Sequence, residues 1–265
     1  MLTTRFVTGS PNWIDVSTPD IEAAAAFYTG LLGWTFAPGG AEFGGYSQFL
    51  VDGKSIGGAM QVTADQGEPG WTVYFQSPDT DTTAKAVAAN GGSVLAQPMD
   101  VGSLGRMAVY ADPAGVAFAS WQPGDMGGLE AVTTPGSLSW LELYTGDTAG
   151  AQPFYNAVFG HDFTAVEMPE GAGEYTTVNP ADQGPDGMFA GIVPLDSDPV
   201  EAATGPYWLA YFEVEDVDAV VAKALELGGA VRSPAVTMAG AGRFAKLSDP
   251  FGARFGVIRS ESQPG

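Results

Sequence analysis

The spacing of apolar residues at the start of the chain predicts a strand followed by an amphipathic helix. Residues 13–16 form a short run that is typical of a strand. Thr18-Pro19 has the character of a helix N-cap followed by proline at the first helical position. Apolar side chains then recur at helical spacing until Gly33 ends the pattern, namely Ile21, Ala24, Tyr28, Leu31 and Leu32.

Further strands follow this first helix. Residues 46–51 and 56–61 are predicted strands, and between them stands Asp52-Gly53, a dipeptide that favours hairpin turns. Residues 71–75 form a third run, which is rich in aromatic side chains.

The clearest amphipathic helix begins near Val217 and ends at Gly228-Gly229. Asp-Pro-x-Gly turns, which begin at Asp112 and at Asp249, join the strands late in each half of the chain. The alternation of strands with few helices predicts an α+β fold.

The same pattern occurs twice. Trp13-Ile14-Asp15-Val16 corresponds to Trp140-Leu141-Glu142-Leu143 at an offset of 127 residues, and Trp71 corresponds to Trp208 at an offset of 137. Such an internal repeat indicates two copies of one structural module. We predict modules at residues 1–123 and 136–265, joined by a linker at 124–135 that is rich in glycine, proline and threonine.

The larger second offset places about ten additional residues in the second module, between Phe163 and Trp208. Glu170-Gly171-Ala172-Gly173 and Asp196-Ser197-Asp198-Pro199 lie in this stretch, and both are typical of loops. We expect these longer loops to form a rim.

Charge restricts the class of partner. Ten Lys and Arg against 31 Asp and Glu give a formal net charge of −21. A surface this acidic argues against binding to nucleic acid and to anionic membranes, which leaves a small molecule as the expected partner. No apolar run approaches the length of a membrane span, and residues 1–6 lack the apolar stretch of a secretion signal, so we expect a cytoplasmic protein.

Ligand-forming side chains are scarce. The chain has no cysteine and one histidine, His161. Thiolate chemistry is therefore excluded, and one chain cannot supply two imidazoles to a metal. We expect His161 to be a surface residue at the start of a strand.

The repeated motifs resemble a known family. The motif Asp20…Phe27-Tyr28…Leu32-Gly33, its copy Asp147…Phe154-Tyr155…Phe159-Gly160, and the two Asp-Pro-x-Gly turns are similar to those of the vicinal oxygen chelate superfamily. This superfamily comprises glyoxalases, bleomycin-resistance proteins and extradiol dioxygenases, and the chain most resembles its tandem actinobacterial members. The resemblance implies that each module pairs two βαβββ units in a curved mixed sheet around a cup.

The resemblance also implies where a metal would bind. The family's ligand positions correspond here to six residues that include no imidazole or carboxylate, namely Trp13, Thr72, Ala119, Trp140, Leu209 and Gly256. Metal-dependent glyoxalase or dioxygenase chemistry is therefore disfavoured, and we predict no metal and no cofactor. A shifted carboxylate site at Asp15 and Glu142 leaves that alternative open.

Strand alternation indicates which side chains face each cup. The predicted ligand-binding residues are Trp13, Thr72, Tyr74, Trp121, Trp140, Tyr144, Leu209 and Tyr211. Aromatic walls with one carboxylate suit a flat, apolar ligand that has a polar group. Packing of the aromatic residues into the core is the alternative. Asp15 and Glu142 either contact the ligand as a general acid or base, or form internal salt bridges with Arg106 or Arg243.

Three functions follow from these observations. The first is metal-independent binding of a small aromatic or polyketide-like metabolite, in secondary metabolism or in self-resistance by sequestration of an antibiotic. The second is a metal-free lyase, isomerase, cyclase or hydrolase, in which the apolar cup raises the pKa of Asp15 or Glu142. The third is a metal-dependent enzyme. A monomer with internal pseudo-symmetry and a homodimer are both compatible with the repeat.

Overall fold

A computed structural model describes residues 2–40, 44–167 and 174–261. The first repeat forms ten elements, which are β1 (Pro11–Thr18), α1 (Ile21–Leu32), β2 (Thr35–Ala37), β3 (Ser47–Val51), β4 (Lys54–Gln61), β5 (Gly70–Gln76), α2 (Thr80–Ala89), β6 (Ser93–Val101), β7 (Gly105–Ala111) and β8 (Ala117–Pro123). None of the helices in the described ranges is both long enough and apolar enough to span a bilayer.

The second repeat forms the same series with one additional helix. Its elements are β9 (Leu138–Thr145), α3 (Thr148–Phe159), β10 (Asp162–Glu167), β11 (Glu174–Asn179), β12 (Ala190–Pro194), α4 (Pro199–Ala202), β13 (Tyr207–Glu213), α5 (Val217–Glu226), β14 (Ala230–Met238), β15 (Gly242–Ser248) and β16 (Arg254–Ser260). A 3₁₀ turn at Leu195–Ser197 and α4 occupy one of the two predicted loop segments. The other, at residues 170–173, lies outside the described residues.

Each repeat forms one eight-stranded mixed sheet. The strand orders are β2-β3-β4-β1-β5-β8-β7-β6 and β10-β11-β12-β9-β13-β16-β15-β14. In the first sheet β1 pairs with β4 and β5 with β8 in parallel, and in the second β9 pairs with β12 and β13 with β16 in parallel. The predicted α+β fold of two tandem modules is confirmed.

The chain also divides into two compact units, and each contains parts of both repeats. The first, which we call the α2/α3 unit, comprises Met1–Trp13, Thr72–Gly128 and Leu141–Trp208. The second, the α1/α5 unit, comprises Ile14–Trp71, Leu129–Trp140 and Leu209–Gly265.

Aspartates begin the four longer helices. Asp20, Asp79, Asp147 and Asp216 each accept a hydrogen bond from the backbone N–H three residues later. The prediction that Thr18 is the first N-cap was therefore wrong. Thr18 is the last residue of β1, and Asp20 occupies the cap because its carboxylate both accepts an N–H and lies favourably at the helix N-terminus.

The predicted turns form as expected. Asp52 and Gly53 have φ values of 51° and 74° and connect β3 to β4, as the mirror-image hairpin turn requires. Asp112 accepts hydrogen bonds from the N–H groups of Ala114 and Val116. Asp249 makes the equivalent bonds in the second repeat.

His161 lies in the core of the α2/α3 unit, and the expectation of a surface position was wrong. Its side chain has no exposed area. The Nε2–H group donates to the carbonyl of Gly9 at 2.8 Å, while the ring stacks against Tyr155 and Phe159. Gly9 permits this contact because a Cβ there would clash with the imidazole. Burial lowers the pKa of His161 to about 4, so the ring is neutral at physiological pH.

Candidate functional site

In the α1/α5 unit, a buried aspartate is hydrogen-bonded to a tyrosine. Asp15 lies in β1 and is 1% exposed, and the Tyr46 hydroxyl donates to its Oδ2 at 3.0 Å. Asp15 pairs with Gly58 in the parallel β1–β4 ladder. A Cβ at Gly58 would overlap the phenol of Tyr46, so glycine is required there for the tyrosine to reach the carboxylate. We call Asp15, Tyr46 and Gly58 the Asp15 cluster.

The α2/α3 unit contains the equivalent arrangement with a second tyrosine. Tyr144 donates to Oε2 of Glu142 at 2.8 Å, and Tyr175 donates to Oε1 at 3.4 Å. Glu142 pairs with Gly191 in the β9–β12 ladder, and a Cβ at Gly191 would overlap the phenol of Tyr175. These four residues form the Glu142 cluster. Both predicted acid/base candidates therefore lie against tyrosine hydroxyls.

A stacked pair of rings extends the Glu142 cluster. Tyr207, at the start of β13, stacks on Tyr144 with ring centroids 5.3 Å apart and an angle of 12° between the planes. The Tyr207 hydroxyl donates to Oε2 of Glu201 at 2.7 Å. Glu201 belongs to α4 and has no exposed area. Thr204 donates to the same carboxylate oxygen.

The two arginines that were predicted as possible salt-bridge partners bind helix-start carboxylates instead. Arg106 contacts Asp81 at 2.9 Å and Asp100 at 2.8 Å. Arg243 contacts Asp218 with two of its nitrogens. The repeat position of these arginines therefore links a strand to the first turn of a helix in each module.

The other predicted ligand-binding residues lie at diverse positions. Trp13 is buried at 2% exposure, whereas Thr72 and Trp140 are half-buried. Tyr74 pairs with Ala119 between β5 and β8. Trp121 packs against Gly105 and donates to the carbonyl of Met126. Leu209 is fully buried, and Tyr211 packs against Gly256. Of the predicted set, the structure joins Tyr144 to Glu142.

The residues at the family's metal-ligand positions do not fit a divalent cation. Ala119 is fully buried, and the ring of Tyr211 lies over Gly256. Across residues 2–40, 44–167 and 174–261, no three or more His, Asp or Glu side chains form a group that could hold a metal ion. Imidazole and carboxylate donors are what such a site needs.

The sequence prediction did not include the side chains of Tyr46 and Tyr175, nor those of Tyr207 and Glu201, which extend the Glu142 cluster. The first two had a signal, because a glycine inside a strand often marks a close approach, and Gly58 and Gly191 are such glycines. Tyr207 lies two residues before Leu209, so strand alternation places it on the same face. Glu201 lies in the additional segment of the second module, where the repeat supplies no counterpart.

Comparisons with known proteins agree with this architecture. The model of the Glyoxalase/Bleomycin resistance protein/Dioxygenase superfamily matches residues 10–119 and 137–257. Among solved structures, the Mn(II)-bound glyoxalase from Novosphingobium aromaticivorans superposes with a TM-score of 0.63 at 14% identity, over 97% of this chain and 86% of that chain. At this identity the likeness concerns the fold alone.

Two curated relatives are much closer in sequence. The anthracycline biosynthesis protein DnrV of Streptomyces peucetius is 42% identical over 274 residues, covering 96% of this chain and 94% of that protein. The anthracycline biosynthesis protein DauV of Streptomyces sp. (strain C5) is 40% identical over 281 residues with the same coverage. These relatives match both modules.

Proposed function

Since the chain belongs to the glyoxalase/bleomycin resistance protein/dioxygenase superfamily, whose fold carries several chemistries, we propose that it is a metal-independent protein that binds a planar, hydroxylated aromatic polyketide. Binding without chemical change serves secondary metabolism, or self-resistance, by sequestering the compound. The observation that carries the proposal is the phenol–carboxylate hydrogen bond present in both repeats.

This hydrogen bond determines what the tyrosines offer to a ligand. A phenol has one proton to donate, whereas its oxygen accepts through two lone pairs. Tyr46 gives its proton to Asp15, and Tyr144 and Tyr175 give theirs to Glu142. Toward a ligand these oxygens therefore act as acceptors. A compound that presents a hydroxyl donor, as a phenolic polyketide does, matches them.

The surroundings of the carboxylates favour an aromatic ligand. The rings of Tyr46 and Tyr175 are half-buried, and the hydroxyl end of each lies close against a strand glycine. Such rings present apolar faces that stack with planar molecules. The names of the relatives DnrV and DauV point to anthracyclines, which are planar, hydroxylated and polycyclic, so the same chemical class is proposed here.

Calorimetric titration tests the proposal with a β-hydroxyanthraquinone, whose hydroxyl lies away from the quinone carbonyls, and with its methyl ether. We expect saturable binding of the hydroxyl compound, and binding of the ether about tenfold weaker because the ether lacks the proton for the tyrosine oxygen. A chelator is expected to leave both affinities unchanged, and mass spectrometry is expected to recover the compound unaltered.

Glycine variants connect this binding to the clusters. Gly58→Ala displaces Tyr46 and Gly191→Ala displaces Tyr175, so at least one of the two is expected to weaken binding tenfold or more, as an order of magnitude. Gly146→Ala is the matched control, because Gly146 is an exposed loop residue where an added Cβ meets no atom of the described residues within 4 Å. Absence of binding by the unaltered protein, or chelator-sensitive binding, would contradict the proposal.

The same hydrogen bond favours a second candidate, a metal-free tailoring enzyme. A tyrosine between a carboxylate and a ligand hydroxyl is a route along which a proton can move. Recovery of a chemically altered compound in the experiment above would support this candidate. In that case the double variant Asp15→Asn/Glu142→Gln is expected to abolish turnover, because neither amide accepts a proton at neutral pH.

A further inference from the structure

The two clusters differ at one pair of positions. Tyr144 and Tyr207, which stack in the second repeat, correspond through the offsets of 127 and 137 to Ser17 and Gly70 in the first. Ser17 lies in β1 and Gly70 begins β5, and these strands are neighbours in their sheet as β9 and β13 are in theirs. Both members of the aromatic pair are thus replaced by small residues, a serine and a glycine.

In the second repeat, the protein's own side chains fill the position beside the carboxylate. Tyr144 is 3% exposed and Tyr207 is 9% exposed. Glu142 already accepts two phenolic hydrogen bonds, one on each oxygen. The hydrogen bond from Tyr207 to the buried carboxylate of Glu201 anchors the stack to α4. Displacing this stack would leave Glu201 buried with one donor fewer, which is costly.

In the first repeat small residues stand at the corresponding position, and Asp15 itself is 1% exposed. Ser17 and Gly70 are both half-buried, and a Cβ added at Gly70 meets no atom of the described residues within 4 Å. The Tyr46 ring of the same compact unit is also half-buried. An aromatic ligand can therefore occupy beside Asp15 the place that two tyrosine rings occupy beside Glu142.

We infer that the chain binds one planar ligand, at the Asp15 cluster, and that the Tyr144–Tyr207 stack occupies the corresponding place at the Glu142 cluster. The inference rests on the proposed function, because it names which of the two clusters takes the hydroxylated aromatic compound. Tyr46 accepts the ligand's hydroxyl, and the ligand's ring lies over Ser17 and Gly70.

The test builds the second repeat's stack into the first. Ser17→Tyr/Gly70→Tyr is titrated calorimetrically with the β-hydroxyanthraquinone beside the unaltered protein. We expect one binding event per unaltered chain and a loss of affinity of about 100-fold in the double variant. Gly146→Ala, which lies outside both clusters, is expected to change affinity less than about twofold, whereas Tyr46→Phe is expected to weaken binding more than Tyr175→Phe does.

Graded variants separate occlusion from misfolding. Affinity is expected to fall in the order Gly70→Ala, Gly70→Leu, Gly70→Tyr, and the midpoint of urea unfolding of Gly70→Ala is expected to stay close to that of the unaltered protein because the added Cβ meets no atom of the described residues within 4 Å. Two binding events per chain, an unchanged affinity in the stable double variant, or weakening by Tyr175→Phe instead would each overturn the inference. If the unaltered protein binds neither compound, the proposed function is wrong. If it binds but the Gly70 variants all have the same affinity, only the assignment of the binding site to the Asp15 cluster is wrong.

Discussion

The cores of the two compact units are built on the same hydrogen-bonded aromatic arrangement. In the α1/α5 unit, Trp71 donates to the Tyr28 hydroxyl at 3.0 Å, and Tyr28 donates to Asp249 at 3.2 Å. In the α2/α3 unit, Trp208, Tyr155 and Asp112 repeat this chain at the same two distances. Each aspartate also organises an Asp-Pro-x-Gly turn. One tertiary connection therefore links a helix, a strand and a turn in both units.

The ring that stacks on the central tyrosine differs between the two cores. The Trp34 ring stacks on Tyr28 and donates from Nε1 to the carbonyl of Gly136 at 2.7 Å. His161 stacks on Tyr155 and donates to the carbonyl of Gly9 at 2.8 Å. Gly9 and Gly136 are themselves related by the 127-residue offset. The imidazole of His161 thus takes the place of the Trp34 indole in the same arrangement of the two repeats. Unlike the indole, the imidazole can be protonated.

The largest expected effect comes from removal of either buried aspartate. Asp249→Ala deprives the Tyr28 hydroxyl and two turn N–H groups of their acceptor, so we expect a loss of about 3–5 kcal/mol in the free energy of unfolding. Asp112→Ala is expected to cost the same. Urea unfolding measures both, and Asp52→Ala at the exposed hairpin is the comparison. A cost below about 1 kcal/mol for one of them would show that the two cores are not equivalent.

Some features of the two cores could be predicted from the sequence and others could not, because only some of them depend on residues that are close together along the chain. The repeat itself located the turns at Asp112 and Asp249, because identical local motifs predict identical local structure. Burial of His161 could not be read from its position, because it depends on Gly9, which lies far away in sequence but beside it in the same unit. Local periodicity records no such tertiary contact.

In the candidate site, too, the residues with a local sequence signal were predicted and their tertiary partners were not. Alternation along β1 and β9 identified Asp15 and Glu142 as the chemically distinctive residues of their strands. Tyr144 lies in the same strand as Glu142, but Tyr46 lies just before β3 and Tyr175 lies in β11. The helical anchor of Tyr207 comes from a segment with no repeat counterpart. Sequence spacing supplies the carboxylates, whereas the contacts with Tyr46 and Tyr175 arise only in the folded sheets, where strand glycines leave room for the two phenols.

The next expected effect is a loss of stability in acid that arises from His161, in the core of the α2/α3 unit. The pKa of His161 is about 4 in the folded protein, below its ordinary value of 6.5, because burial disfavours the cationic form. Its contribution to stability is thus complete above pH 6.5 and is lost as the pH falls toward 4, by about 3 kcal/mol. Asp112 acts in the opposite direction, since burial raises the pKa of its carboxyl.

Paired variants isolate the histidine contribution. His161→Phe removes both the Gly9 hydrogen bond and the titration, whereas Trp34→Phe removes the equivalent Gly136 hydrogen bond and no titrating group. Urea unfolding between pH 7 and pH 4 is expected to show a shallower pH dependence for His161→Phe alone. If both variants kept the slope of the unaltered protein, the loss of stability in acid would have to arise from other groups.

The smallest expected effect concerns the central tyrosine hydroxyls. Tyr28→Phe and Tyr155→Phe keep the rings but leave a tryptophan N–H and an aspartate oxygen without their partner, which costs about 1–2 kcal/mol each. The Tyr28 hydrogen bond lowers the pKa of Asp249 against the larger effect of burial, which raises it. Removing that hydrogen bond raises the folded-state pKa further, so the deficit of Tyr28→Phe is expected to be larger at pH 8 than at pH 4. Urea unfolding at those two pH values measures this loss of stability. Tyr155→Phe is expected to show the same pH dependence, because Tyr155 hydrogen-bonds to Asp112. A loss of stability that did not change with pH would show that the hydroxyls stabilise the tryptophans rather than the carboxylates.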